Sequence, residues 1–381
     1  MVTGPASAAV TPADQFRGVS CPADRFCLGV GWYIPSDGIK RPLAERWDGS
    51  AWHVMFPLVP SPAPAAVLQS VACVSRTSCL AVGDTNTSGD HGPVFGKLFA
   101  EKWNGSSWRM VPVADPGRAT LTKVSCASAR SCFAVGYRTT VTGADRAISE
   151  HWNGTKWSYV RPRRPQPVSQ LLGVSCPGPR NCYAAGWTGT RRSVSQRALI
   201  EHWDGARWST RPLPGTPRNS ELRSVACPVR ARCTAVGATG LDSPRMLVED
   251  LSGGRWHASV LSHRAVNPGN LGLDDVSCRA PRVCSAVTRY ISVANDTLTW
   301  AIASRGRAGG FRFQLLPASA AFDDPRDLSC SAHGCTLAGG KRSNDGRGDQ
   351  FDIGTTLAWR GTGTSFAPQT TPPPPATAGG G

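Results

Sequence analysis

Seven copies of one cysteine-containing unit run through this 381-residue chain, and no other feature constrains its fold as strongly. The first cysteines of successive copies lie 52, 53, 50, 51, 51 and 52 residues apart. A period near fifty residues indicates an array of supersecondary units that bury their apolar faces against one another. These first cysteines are Cys21, Cys73, Cys126, Cys176, Cys227, Cys278 and Cys330.

Four short runs, separated by turn residues, make up each copy. The third copy reads Leu-Thr-Lys-Val-Ser-Cys at 121–126, Cys-Phe-Ala-Val-Gly at 132–136, Ile-Ser-Glu-His-Trp at 148–152 and Lys-Trp-Ser-Tyr-Val at 156–160. The last two runs are joined by Asn153-Gly154, and Asn-Gly pairs accept the positive φ of a tight hairpin turn. Four antiparallel strands repeated seven times, without helical periodicity, predict an all-β fold: a seven-bladed β-propeller with four strands per blade.

The repeat resembles the kelch type, in which a strand ending in glycine is followed by a variable loop, a strand ending in Glu-x-aromatic-Asp, a tight turn and a Trp-bearing outer strand. The resemblance covers residues 17 to 367 and implies a propeller. This chain has one glycine where kelch has two, and it adds a cysteine pair. The combination Val-Ser-Cys, Cys-x-Ala-Val-Gly and Glu-x-Trp-Asp-Gly-x-x-Trp is similar to a repeat of uncharacterised secreted actinobacterial proteins. The last two copies lack the paired-Trp hairpin and keep Trp300 and Trp359.

The repeats account for almost the whole chain, so we expect one propeller domain over 17–367, although length alone suggests two or three domains. The predicted repeats begin near 17, 69, 122, 172, 223, 274 and 326. Residues 1–16 are a short N-terminal segment that we interpret as the remnant of a signal peptide. Residues 368–381 are rich in Pro and Gly and predict a disordered tail.

All 14 cysteines fall into sequential pairs, with five intervening residues in six copies and four in the last. A zinc site and a catalytic thiol pair are the alternatives to a disulfide. Zinc knuckles commonly have a two-residue gap, and a catalytic pair would not recur in every blade. Facing residues on adjacent strands lie within reach of a disulfide, so we predict one bond per blade and an extracellular or cell-surface location. The pairs are Cys21–Cys27, Cys73–Cys79, Cys126–Cys132, Cys176–Cys182, Cys227–Cys233, Cys278–Cys284 and Cys330–Cys335.

Nine of the 13 tryptophans lie in the predicted hairpins. Exposed aromatic hairpins are able to stack on carbohydrate, but a Trp at the same strand position in most blades favours packing between blades. We therefore predict that these residues form the core. They are Trp47, Trp52, Trp103, Trp108, Trp152, Trp157, Trp203, Trp208 and Trp256.

Two basic clusters accompany the net charge of +16. In an up-and-down blade, the second-to-third loops and the blade-to-blade linkers emerge on one side, which we call the linker face. Ten arginines of blades three and four fall there, with Asp145 as the neighbouring acid, and they predict either an anion-binding site or a solvated basic surface. They are Arg138, Arg146, Arg161, Arg163, Arg164, Arg191, Arg192, Arg197, Arg211 and Arg218.

The opposite side, the turn face, carries a basic residue between the paired cysteines of every blade. We expect these residues to ring the mouth of the central channel and to pair with recurrent carboxylates of the third strands, since a half-buried carboxylate demands compensation. The basic residues are Arg25, Arg76, Arg130, Arg180, Arg230, Arg282 and His333, and the carboxylates are Glu45, Glu101, Glu150, Glu201 and Glu249.

No catalytic constellation emerges from the sequence, so we predict no catalytic residue, no metal site and no cofactor. The predicted function is a noncatalytic binding or scaffold module for an anionic polymer or an acidic protein surface. We expect a monomer without specific nucleic-acid binding and without a transmembrane segment. The alternative is a glycan-active propeller enzyme, sialidase-like or galactose-oxidase-like, with a divergent site. A buried carboxylate pair or a His cluster in the channel favours the enzyme, and an open basic shelf favours the binder.

Overall fold

Seven four-stranded antiparallel sheets form the protein, each built from four consecutive strands. The computed structural model describes residues 13–61, 65–86, 96–163, 166–190, 196–240, 244–261, 272–291, 298–306, 309–316, 324–340, 356–362, 365–369 and 371–372. The predicted seven-bladed all-β propeller is therefore confirmed. Most of the N-terminal segment and of the C-terminal tail lies outside the described residues.

The strands of blades one to four alternate with short turns and longer loops. Blade one contains β1 (Ala13–Ala23), β2 (Phe26–Ile34), β3 (Arg41–Trp47) and β4 (Trp52–Met55). Blade two contains β5 (Ala65–Ser75), β6 (Ser78–Asn86), β7 (Leu98–Trp103) and β8 (Trp108–Val111). Blade three contains β9 (Ala119–Ser128), β10 (Ser131–Thr139), β11 (Asp145–Trp152) and β12 (Trp157–Tyr159). Blade four contains β13 (Val168–Gly178), β14 (Asn181–Gly189), β15 (Gln196–Trp203) and β16 (Trp208–Thr210).

Blades five to seven follow the same order. Blade five contains β17 (Ser220–Val229), β18 (Arg232–Thr239), β19 (Arg245–Ser252) and β20 (Arg255–Leu261). Blade six contains β21 (Gly272–Ala280), β22 (Val283–Ile291), β23 (Leu298–Arg305) and β24 (Arg312–Leu315). Blade seven contains β25 (Asp324–Cys330), β26 (Cys335–Gly340), β27 (Thr356–Thr362) and β28 (Ser365–Gln369).

The first strand of every blade is the innermost one, because each contacts the first strands of both neighbouring blades. The ring closes where β1 meets β25 and β26. All seven blades draw their four strands from their own repeat. The first strand begins at Ala13, a few residues before the predicted start of the repeats.

One disulfide joins the first and second strands of each blade, as the sequence predicted. The seven bonds follow the sequential pairing, with Cα atoms 3.9 to 4.1 Å apart. In four blades the paired cysteines are direct register partners across the two strands. Seven intrachain disulfides agree with a protein that resides outside the reducing cytoplasm.

An apolar cluster fills each of the seven junctions between neighbouring blades. Between blades three and four, Phe133 packs against Trp203 and Trp208, with ring centroids 5.0 Å apart in both pairs. All nine hairpin tryptophans are at most 8% exposed, so their predicted place in the core is confirmed. These nine rings are therefore not available for stacking on carbohydrate.

A serine in the Val-Ser-Cys motif links one blade to the next. Its hydroxyl accepts a hydrogen bond of 2.9 to 3.0 Å from the backbone N–H of the first cysteine in the following blade. The five serines are Ser20, Ser125, Ser175, Ser277 and Ser329. Ser329 bonds to Cys21 and so closes the ring with the same bond. Blades two and five have Ala72 and Ala226 at this position, and an alanine cannot accept such a bond.

The basic residues of the turn face lie elsewhere than predicted. A Cβ placed on Gly49 or Gly154 would meet the side chain of Arg25 or Arg130 at 3.0 and 3.2 Å, and Arg180 lies equally close to the matching turn of blade four. These glycines belong to the outer hairpin turns, so the three arginines extend outward over their own blade. The prediction that they surround the channel mouth is therefore wrong for these residues.

The predicted pairing of third-strand carboxylates with turn arginines is also wrong for Glu101, Glu150 and Glu249. Glu101 accepts the backbone N–H of Leu58 at 2.9 Å, in the linker that enters blade two, and Glu249 accepts the hydroxyl of Thr216 in the linker that enters blade five. Burial raises the pKa of Glu101 and of Glu150 to about 8, which a neighbouring guanidinium would prevent. These carboxyls face the incoming linker, whereas the turn arginines lie beyond the strand ends.

Candidate functional site

The linker face of blades three and four carries the arginines that the sequence singled out. Arg138 and Arg146 are register partners on β10 and β11, next to the loop between these strands, and both are partly buried. Four more are exposed, in the linkers that follow blades three and four or at the start of β15: Arg161, Arg163, Arg197 and Arg218. Arg164, Arg191 and Arg192 lie outside the described residues.

Asp145, the acid of this surface, accepts hydrogen bonds from side chains of the protein. Asp145 accepts the hydroxyl of Thr139 at 2.5 Å and the side-chain amide of Gln170 at 2.6 Å. The bond between Gln170 and Asp145 ties blade four to blade three, and Gln170 also accepts the indole N–H of Trp187 within blade four at 3.2 Å. Within the described part of the chain, none of the arginines of this surface forms an ion pair with a carboxylate.

The side chain of Arg211, one of the predicted site arginines, points toward the turn face. Its guanidinium lies 2.6 Å from Nδ1 of His202, and Nε2 of the same imidazole lies 2.6 Å from Oδ1 of Asn181. His202 precedes Trp203 at the turn-face end of β15, so Arg211 points away from the linker loops. Burial and the charge of Arg211 lower the pKa of His202 to about 4, which keeps this imidazole neutral at pH 7.

A polar ring lies at the centre of the propeller, and the sequence analysis missed it. In every blade, the pairing between the first and second strands shifts register at one equivalent place. The shift comes immediately before the residue that is the third ahead of the first cysteine. We call this third residue the axial position. It is occupied by Gly18, Ser70, Lys123, Gly173, Ser224, Asp275 and Asp327. A Cβ on Gly18 would lie 2.8 Å from the Cα of Ser70, so the close approach of blades one and two requires glycine there.

Three axial side chains meet across the channel. The ammonium of Lys123 lies 3.3 Å from the carboxylate of Asp275 and also contacts Asp327. In a ring of seven, blades six and seven stand opposite blade three, which explains why residues so far apart in sequence come together. Both aspartate side chains are almost fully buried, whereas the lysine remains 24% exposed.

Protein donors occupy the two carboxyl groups. Asp275 accepts the hydroxyl of Ser224 at 2.5 Å and the N–H of Leu328 at 2.7 Å, and Asp327 accepts the N–H of Val19 at 2.8 Å. Burial raises the pKa of Asp327, and the neighbouring carboxylate adds to that rise. Burial also disfavours the charge of Asp275, but Lys123 and the hydrogen bonds hold its pKa below the ordinary value. The pair therefore ionises in two separated steps.

This arrangement suits a structural cluster that fills the central channel, which we call the plug, better than a catalytic pair of carboxyl groups. Lys123 is itself held charged, since the two carboxylates more than offset its burial and raise its pKa. It is therefore no nucleophile, and both carboxyl groups accept hydrogen bonds from the protein itself. The sequence already contained a sign of this cluster. When the seven repeats are aligned on their first cysteines, Lys123 falls in the same column as Asp275 and Asp327. Among the described residues, no group of three or more His, Cys, Asp or Glu side chains has a metal-binding arrangement.

No helix in the described ranges has the length and hydrophobicity to cross a membrane. No family model matches the chain, and no curated protein matches its sequence.

Solved structures resemble the fold at low sequence identity. YCF48 bound to D1 peptide aligns over 88% of this chain and 96% of its own, with a TM-score of 0.51 and 11% identity. The GH74 xyloglucanase from Xanthomonas campestris aligns over 93% of this chain and 59% of its own, with a TM-score of 0.54 and 14% identity. Prolyl oligopeptidase B from Galerina marginata aligns over 94% and 51%, with a TM-score of 0.57 and 12% identity. The chain thus spans little more than half of the two enzymes, and these likenesses establish the fold alone.

Proposed function

We propose that the protein is a noncatalytic binding or scaffold module that acts outside the cytoplasm. Its partner is an anionic polymer or an acidic protein surface, held on the linker face of blades three and four. The observation that supports this proposal is the state of Asp145, whose carboxylate is bonded within the protein and leaves the surrounding arginines available. A kelch-like ancestry and a monomeric state are part of the same proposal.

Guanidinium groups suit this role because they bind phosphates and carboxylates through paired N–H donors. Exposed arginines on neighbouring linkers present such donors side by side, so a polyanion contacts several of them at once. Binding of this kind weakens steeply with salt, because exposed charges are screened beyond about 10 Å at 0.1 M ionic strength.

The test replaces Arg161, Arg163, Arg164, Arg191 and Arg192 together by Ser and measures retention on heparin and on teichoic acid against salt. A control variant changes five arginines of the turn face and outer strands to Ser: Arg76, Arg109, Arg207, Arg230 and Arg255. The first variant should elute at much lower salt than the second. Equal losses would mean that the attraction comes from net charge alone, and the localised site would have to be abandoned.

A glycan-active enzyme is the second candidate, and the carboxyl pair of Asp275 and Asp327 is the observation in its favour. Separated ionisation of two carboxyls is typical of acid and base pairs. Against it stands the complete set of protein donors around both groups. Hydrolysis of a neutral or acidic polysaccharide that disappears in Asp327→Asn, at unchanged thermal stability, would support the enzyme. Loss of stability without any hydrolysis in the parent protein would support the plug.

A further inference from the structure

Two clefts open on the turn face where the last three blades meet. One lies between blades five and six and has a volume of about 290 Å³, and the other lies between blades six and seven and has a volume of about 240 Å³. Both occur where the repeat has lost its third-strand tryptophan. That position pairs with the second cysteine of each blade and holds Trp47, Trp103, Trp152 and Trp203 in the first four blades.

The residues that replace tryptophan in blades six and seven explain the cleft between these two blades. Arg305 pairs with Cys284 in blade six and Gly361 pairs with Cys335 in blade seven, so both take the tryptophan position. A glycine there leaves the space beside the blade-seven disulfide without an indole ring to fill it. The cleft is lined by residues of blades six and seven, among them Arg279, Ser285, Ser304, Arg305, Arg312 and Cys335. This lining contains three arginines and no acid.

The three arginines have different roles. Arg305 is 8% exposed, and its guanidinium is held by both carboxylate oxygens of Asp250 and by the hydroxyl of Thr234. It therefore forms a rigid wall whose charge is compensated. Arg279 and Arg312 are exposed at the ends of β21 and β24, and neither forms an ion pair with any carboxylate of the described ranges. Two uncompensated guanidinium groups consequently border one concave site.

The remaining lining provides hydroxyl groups and an apolar floor. The hydroxyls of Ser285 and Ser304 lie 2.9 Å apart, and this pair adds polar groups that are able to donate and to accept hydrogen bonds to the wall of the cleft. Sulfur atoms of the blade-six and blade-seven disulfides form part of the wall. The volume lies just below the range of about 300 to 1,000 Å³ that is typical of drug-sized ligands, so a molecule of monosaccharide size fits.

We propose that the cleft between blades six and seven binds a small hydroxylated anion: a sugar-sized molecule with one carboxylate or phosphate group. Arg279 and Arg312 take the anionic group, because guanidinium forks match planar carboxylates and phosphate oxygens. Ser285 and Ser304 take the hydroxyl groups. This site lies on the opposite face of the ring from the proposed polyanion surface and does not depend on it.

Calorimetric titration of the full chain with glucuronate, glucose 6-phosphate and glucose tests the proposal, since the three probes share a sugar ring and differ in the anionic group. We expect binding of at least one of the two anions and much weaker binding of glucose. The anion that binds identifies the group. Absence of binding of both anions at millimolar concentration, or binding of glucose with equal affinity, would overturn the proposal.

Two variants locate the site. Changing Arg279 and Arg312 together to Ser should weaken anion binding by at least about tenfold, because tenfold corresponds to only about 1.4 kcal/mol and the double change removes the charge-assisted hydrogen bonds of two guanidinium groups. The matched control changes Arg76 and Arg130, exposed turn arginines on the same face, and should retain affinity. Equal weakening in both, or in neither, would contradict the proposed site. Gly361→Trp should fill the cleft and abolish binding, provided that circular dichroism shows an intact fold.

Discussion

The junctions between neighbouring blades share one backbone register, but their facing side chains differ in chemistry. Between blades three and four, the facing positions are aromatic: Phe133, His151 and Trp203. Between blades five and six, they are Thr234, Asp250 and Arg305, which form a buried ion pair with a hydroxyl partner. Between blades six and seven, they are Ser285, Ser304 and Gly361. At these three junctions, the three positions differ together.

The joint change has a physical cause. A guanidinium set against Phe133 would be buried without a partner, and an indole set against Asp250 would leave that carboxylate uncompensated. Leucine replaces the tryptophan in blade five, where Leu251 packs with Tyr183, whereas an arginine or a glycine at this position accompanies the loss of the aromatic neighbours. The aromatic junctions fill their space with rings, whereas the ionic and small polar junctions leave the two clefts. Divergence of the last copies thus produces concave surface at these two junctions.

Removing a ring from an aromatic junction should have the largest effect. Trp203→Ala should lower the free energy of unfolding by about 3 to 5 kcal/mol, because it removes a buried indole and leaves a cavity against Phe133. Urea unfolding followed by fluorescence measures this change. Gly361→Ala in blade seven serves as the control and should cost far less. A loss below about 1 kcal/mol for Trp203→Ala would mean that the aromatic junctions collapse without cost.

Breaking the ionic junction should have the next largest effect. Arg305→Leu leaves the Asp250 carboxylate with the Thr234 hydroxyl but without its cation, and it should cost about 3 kcal/mol, the low end for breaking a buried pair, since Asp250 is 17% exposed. The sharper test rebuilds the aromatic set with Arg305→Trp, Asp250→His and Thr234→Phe in one chain. This triple variant should recover most of the lost stability. If it is no more stable than Arg305→Leu, the three positions are not exchangeable as a set.

The same contrast shows what the sequence was able to predict. Blade number, strand order and all disulfides followed from the period and from the paired cysteines, because both are local and repeated. The cluster around Lys123 was missed because its members come from three blades and become neighbours only when the ring closes. The turn arginines were misplaced because sequence spacing fixes the strand end from which Arg25 emerges, but not whether its side chain extends inward or outward.

The buried carboxyls should give the aromatic part of the ring its pH dependence. Blade six has Ala303 where blades two and three have Glu101 and Glu150, whose pKa is raised by burial from the ordinary 4.5 to about 8. A raised pKa means that the folded state binds more protons than the unfolded state. Their contribution to stability is complete below pH 4.5 and is lost progressively up to about pH 8. Melting temperatures should therefore fall over this range.

Glu150→Gln should flatten that decline, because a neutral amide has no proton to lose. Neither carboxyl oxygen of Glu150 has a hydrogen-bond partner within the described ranges, so the amide breaks no bond there. The half-exposed Glu221, which pairs with Arg223, provides the control, and Glu221→Gln should keep the slope. An unchanged slope in Glu150→Gln would show that this carboxyl is ionised in the folded protein at neutral pH.

Changes to the serines that link neighbouring blades should have the smallest effect on stability. They test whether the aromatic and the ionic junctions have the same backbone spacing. Ser125→Ala at the aromatic junction removes the hydroxyl that accepts the N–H of Cys176 at 3.0 Å and should cost about 1 kcal/mol, the usual net value of a hydrogen bond. The reverse change, Ala226→Ser, adds this acceptor at the junction between blades five and six and should stabilise by a similar amount. Because the register is the same at both junctions, the two changes should be equal and opposite in urea midpoint. If Ala226→Ser destabilises, the backbones of the ionic junction are spaced differently from those of the aromatic one, and the two kinds of junction differ in more than their side chains.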